Sequence, residues 1–115
     1  MIILSWPAKE LSPNARTHWA VKAKAVKAAR QAAGWATKAA GVKVEGDGFI
    51  YLQIIFSPPS KRRHDLDNCV ARCKGLFDGI ADALGVDDSR FRYGFEFGEA
   101  VKGGKVTVVI KQGAA

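Results

Sequence analysis

The sequence predicts an α+β fold: a single domain spanning 1–115, ordered β-α-β-α-β-β, with helices packed on a small mixed sheet. Three observations predict it. Four short runs, at 2–6, 49–56, 91–97 and 106–110, are apolar or alternate apolar with other residues. Two longer stretches with helical spacing, about 17–40 and about 65–84, separate the first three runs. The chain has 115 residues, 48% hydrophobic and 25% charged, which is enough for one core and too short for two.

Taken in order, residues 2–6 form an apolar run that Pro7 stops, as a strand requires. Residues 7–16 (PAKELSPNAR) are rich in turn formers and read as a loop. From 17 to 40 the chain is dense in Ala and Lys, both strong helix formers. Trp19, Ala23, Val26, Ala29, Ala33 and Ala36 recur as an apolar stripe, with Lys24, Lys27, Gln31 and Lys38 on the other side. Gly41 is a natural stop. After a Gly46-Asp47-Gly48 turn, the run 49–56 is apolar on both alternating faces, so cover on both sides is expected. Ser57-Pro58-Pro59-Ser60 ends it. Asp65-Leu66-Asp67-Asn68 then opens one helix to about Leu84, with Gly85 as its C-cap and 86–89 as its exit loop. Aromatic residues alternate along 91–97. Lys102-Gly103-Gly104-Lys105 is a hairpin signal that returns the chain as the strand 106–110.

Charge is distributed unevenly. Residues 1–64 carry eleven basic and three acidic residues, net +8. Residues 65–115 carry seven basic and eight acidic, net −1, with six Asp between Asp65 and Asp88. The overall +7 fits a polyanionic partner, nucleic acid first and an anionic membrane second; solubility alone would also account for it. The longest strongly apolar run, 49–56, is too short to span a bilayer. MIILSWPAKE has neither a basic leader nor a long apolar stretch, so a cytoplasmic protein is expected. Cys69 and Cys73 match neither a disulfide framework nor a four-ligand zinc site, and read as small buried hydrophobes.

The carboxylates carry the chemistry. Asp65 and Asp67, two apart at a helix start, can point the same way from an extended lead-in. Adjacent carboxylates repel unless a cation or a proton lies between them, and a hard ion such as Mg²⁺ is the natural occupant. Helix capping is the plain alternative, but it needs only one Asp. On a continuous helix, Lys74 and Asp78 would lie about 20° either side of Asp67. An i,i+4 salt bridge between those two is the plain alternative there. Asp87 and Asp88 also read as turn residues. Lys61-Arg62-Arg63-His64 stands immediately before the carboxylates. A basic loop that delivers a phosphate backbone to a metal-binding acidic cluster is the arrangement a nuclease requires.

The stretch F-S-P-P-S-K-R-R-H-D-L-D-N, residues 56–68, resembles the signature of the RusA family of Holliday junction resolvases. The resemblance extends through Lys74, Phe77-Asp78 and Asp87-Asp88, the Trp6-Pro7 loop with Asn14 and Arg16, and Gly103-Gly104. It implies a RusA-like domain: a homodimeric, Mg²⁺-dependent endodeoxyribonuclease, with Mn²⁺ as a substitute, that acts on four-way DNA junctions. It implies that Asp65, Asp67 and Asp88 are metal ligands and that Lys74 is the catalytic or phosphate-contacting lysine. It places Asn14, Arg16, Lys61, Arg62, Arg63, His64 and Asn68 at the DNA. Five residues, Cys69 to Cys73, separate Asn68 from Lys74 where a member of the family has two, and His64 stands where the family usually has Arg. No membrane and no organic cofactor are expected. Two further readings compete: a DNA-binding protein without catalysis, and a membrane-surface protein whose basic helix lies on anionic lipid.

Overall fold

A computed structural model describes residues 1–13 and 15–112. It is an α+β fold with one mixed four-stranded sheet. The strands are β1 (Ile2–Ser5), β2 (Ile50–Ser57), β3 (Phe91–Phe97) and β4 (Lys105–Gln112), in the order β1-β4-β2-β3. The helices are α1 (Trp19–Ala39), α2 (Leu66–Ala71) and α3 (Lys74–Leu84), with single 3₁₀ turns at Lys9–Leu11 and Asp88–Arg90.

The two most apolar strands occupy the centre. β4 pairs antiparallel with both β1 and β2, and β3 pairs parallel with β2 at the other edge. The expected hairpin between the last two strands does not form. Gly103 and Gly104 do take positive φ, 78° and 70°, and make the turn. The chain, however, crosses the end of β2, held by Gly98 N–H to Phe56 O and Val101 N–H to Pro58 O. β4 carries Val106 and Val108, both fully buried, whereas β3 is half exposed, so burial favours β4 inside and β3 at the edge.

Both α1 and α3 pack on one face of the sheet. Ile2, Ile50, Leu52, Ile54, Phe56, Phe91, Val106 and Val108 meet Ala33, Cys73, Leu76 and Ile80 there. The opposite face has no helix among the described residues. Tyr51 on that face is 46% exposed, and Gln53 and Ile55 are half-buried, so the expected cover on both sides of β2 is absent. The folded chain exposes 7413 Å², against roughly 6,100 Å² expected for its mass. An open sheet face contributes to that excess.

α1 is a single long helix, but its inward stripe is rotated from the expected one. Ala33 and Thr37 are buried and Ala25, Ala29 and Ala36 half-buried, while Trp19, Ala23 and Trp35 face solvent. Tertiary contact selects the smallest side chains because α3 lies so close. A Cβ at Gly75 would sit 3.0 Å from the Val26 carbonyl oxygen, and one at Gly79 would overlap that of Arg30. Glycine is needed at both crossings.

The expected single helix over 65–84 is two helices. Cys73 leaves helical geometry at φ −95°, ψ 4°, and its N–H reaches back to Val70 O at 2.9 Å. Cys73 and Gly75 are poor helix formers, which favours a break there. Both cysteines are free and buried, as expected.

Candidate functional site

The C-terminal end of β2 organises the first part of the site. Pro58 and Pro59 stop the strand, and the chain turns through Lys61, Arg62 and Arg63, all exposed. His64 is half-buried, with its ring against Trp6 at 5.7 Å; Trp6 in turn meets Phe56 at 6.1 Å. The histidine therefore pins the basic loop to the strand ends. Its Nε2 is buried and has no hydrogen-bond partner among the described residues. The loop borders a cavity of about 410 Å³ closed by Phe97, Gly98 and Ala100. Among the described residues the ion pair found is Arg30–Asp82, joining α1 to α3, so the loop's charges stay unpaired.

Asp65 follows directly as the N-cap of α2, its Oδ1 accepting from Asp67 N–H at 2.9 Å. The capping role is thus filled by Asp65 alone, and Asp67 is exposed and uncommitted in the first turn. One turn on, Asn68 Oδ1 accepts from Ser12 Oγ at 2.9 Å, which ties the loop after β1 to α2. Arg16 is exposed on that loop, and Asn14 lies outside the described residues.

The helix break moves Lys74. A face shared by Asp67, Lys74 and Asp78 requires one continuous helix, which the break at Cys73 removes. Lys74 is instead the first residue of α3 and, with Asp78, lines a separate cavity beside α1. The two make no ion pair.

Asp88 lies at the other end of the sheet. β2 and β3 run parallel with Ile50 opposite Phe91, so the Asp88–Arg90 turn leads into the end where β2 begins. Asp65 and Asp67 follow the end where β2 finishes. Between them runs α3, whose 11 residues span about 16 Å. Asp88 and Asp78 both act electrostatically on Tyr93. Burial pushes the Tyr93 phenol pKa up, and the carboxylates of Asp88 and Asp78 push it further in the same direction. Asp87 caps the Asp88–Arg90 turn through Ser89 N–H at 2.8 Å, a bond that holds its carboxyl below the usual range, so it acts as a turn residue. Among the described residues no group of three or more His, Cys, Asp or Glu could hold a metal ion. Within one chain, Asp65 and Asp67 precede α3 and Asp88 follows it.

The structure adds Lys22, and brings in Arg72, which the K-x-x-F-D spacing sets aside in favour of Lys74. Lys22 and Arg72 line the same cavity as Lys74. Lys22 falls at i, i+4, i+7 and i+11 with Val26, Ala29 and Ala33, which was a legible sign of a lysine on the inward stripe. The largest cavity described, about 470 Å³, is an apolar groove between β1, the Pro7–Ala8 loop and the alanines of α1, away from the carboxylates.

No family model matches the chain. It is 47% identical over 97 residues to an uncharacterized protein of Xylella fastidiosa (strain Temecula1), a match covering 78% of this chain and 61% of that protein. The chain thus spans less than two-thirds of the relative it matches. Among the described residues no helix is long and apolar enough to cross a membrane.

Proposed function

We propose that the chain is a RusA-like endodeoxyribonuclease domain that nicks four-way DNA junctions with Mg²⁺ and acts as a homodimer. One observation carries this reading: an unpaired basic loop runs without a break into the exposed Asp65–Asp67 pair at the end of the central strand. An anionic backbone and a divalent cation would meet there.

The donor chemistry fits Mg²⁺. Mg²⁺ is commonly held by one or two carboxylates together with waters and substrate phosphate, rather than by an all-protein cage. Asp67 and the second oxygen of Asp65 are hard, exposed donors of that kind. The bound ion would supply an activated water and charge neutralisation at the phosphate. Lys61, Arg62 and Arg63 would hold the backbone, and His64 would seat the loop on Trp6. Lys74 would add positive charge from the start of α3. Asp88 stands apart, so the pair rather than the triad carries the proposal.

Two matched nicks need two sites related by a two-fold axis, which a C2 dimer provides. The open sheet face, with Ile3, Thr107 and Ile55 as cross-strand neighbours, supports association with a second copy. The helix break that sets Lys74 at the start of α3, in a cavity of its own, favours one alternative, a junction-binding protein without catalysis.

The test is cleavage of a labelled four-way junction with Mg²⁺ or EDTA, beside linear duplex and Asp67→Asn. Paired nicks that need metal and Asp67, and that favour the junction, are expected. Tight junction binding without nicks in Mg²⁺ or Mn²⁺ would establish the alternative.

A further inference from the structure

We infer that the cleft between α1 and the α2–α3 break is a phosphate-binding pocket formed by Lys22, Arg72 and Lys74. It would take a backbone phosphodiester of bound nucleic acid, separately from the loop 61–64. The ligand's identity rests on the nucleic-acid reading above; the pocket itself does not.

Three cations from two helices and a turn line one cavity of about 240 Å³. Asp78 is the carboxylate in its wall, so the lining keeps a net charge of +2, and none of the three cations is in the ion pair found among the described residues. Arg72 Nε is buried and has no hydrogen-bond partner among the described residues. A buried N–H donor without an acceptor is unfavourable, and an anion would supply one. The planar guanidinium matches a phosphate's oxygens, and Lys22 and Lys74 add point charges from either side.

The backbone contributes as well. α3 begins at Lys74 with no side-chain cap on its first turn, so its N-terminal N–H groups and dipole favour an anion there. Gly75, also in the lining, lets that turn approach α1: a Cβ would sit 3.0 Å from the Val26 oxygen. The volume equals that of about eight liquid waters, room for a phosphate with its linking atoms. The helix break thus has a consequence. It leaves Arg72 in the lining of both this cleft and the apolar groove beside β1, and starts a fresh helix N-terminus next to it.

The test combines two readouts. In the first, the Arg72 Nε–H resonance is followed as inorganic phosphate is added to the full chain. It is expected to shift in wild type and to stay put in Lys22→Gln. In the second, junction DNA binding is measured against salt for wild type, Lys22→Gln, Arg72→Gln, the double variant and a Lys43→Gln control. One lost phosphate contact lowers the salt slope by about 0.9. Because the residues share one phosphate, the double variant should lose about 0.9 as well, not twice that. Should Arg72→Gln fail to fold, Lys22→Gln and Arg72→Lys carry the comparison. An unmoved Arg72 resonance with unchanged slopes overturns the pocket. A phosphate-induced shift in a wild-type chain that binds no DNA keeps the pocket and overturns the nucleic-acid reading.

Discussion

Gly79 sits where α3 crosses α1, and replacing it with Ala tests how that crossing is built. A Cβ at this position would overlap the Arg30 carbonyl oxygen and lie 3.0 Å from the Ala33 Cβ. On an unobstructed helix, Gly→Ala would stabilise by about 1 kcal/mol. Here the obstacle is backbone, which cannot rotate aside as a side chain can, so the two helices must separate. Ala33 and Ile80, both fully buried, lose packing as they do. Overpacking of this kind costs about 1–3 kcal/mol, and overlap with backbone belongs at the upper end. Offsetting the propensity gain leaves a net loss of about 2 kcal/mol. For a chain of this size that lowers Tm by about 8 °C. Gly34→Ala is the matched control. Its Cβ would lie 3.5 Å from the Gly79 oxygen, ordinary contact, so it should gain up to about 1 kcal/mol. Thermal unfolding followed by circular dichroism reads both. If Gly79→Ala melted at or above wild type, close helix approach could not be the reason for glycine there.

Further outcomes follow from the site. Asp67→Asn should lower junction nicking on the order of 10²-fold while junction binding persists. Asp88→Asn should cost less than about tenfold, because one chain holds Asp88 at the far end of α3; equal losses would show that a second copy brings it to the pair. Replacing Lys61, Arg62 and Arg63 with Gln should reduce the salt slope of DNA binding by about 2–3, and an unchanged slope would remove the loop from the interface. Burial pushes the Cys73 thiol up to about 12, well above its ordinary value near 9. The unfolded thiol therefore loses its proton first, and stability should fall as pH rises between those values. Cys73→Ala should flatten that decline in urea midpoints. In the native protein at about pH 8, Cys73 should resist thiol reagents, and rapid modification there would contradict its burial.

The four strands and the long first helix were legible because their signals are local. Period-2 runs, an Ala-Lys-rich stretch and Pro or Gly at the boundaries each act within a few residues. Three features were not legible. The stripe of α1 was read from its largest apolar side chains, yet the face that packs is the one small enough to meet α3. The Gly-Gly turn was recognised, but which strands it would leave as neighbours depended on competition for the sheet centre. The break at Cys73 was hidden because Cys69, Cys73, Leu76 and Ile80 keep a helical spacing across it.

The candidate site divides the same way. That Lys61 to His64 lead directly into Asp65 and Asp67 is written in the chain, because covalent neighbours stay together in any fold. So is the ability of Asp65 to cap a helix. Folding set Asp88 at the end of the sheet where β2 begins, with its carboxylate acting on Tyr93. It alone placed Lys22 of α1 in one cleft with Arg72 and Lys74. Separation along the chain does not fix distance in space. Distance follows from the direction in which each helix crosses the sheet, and packing sets that direction.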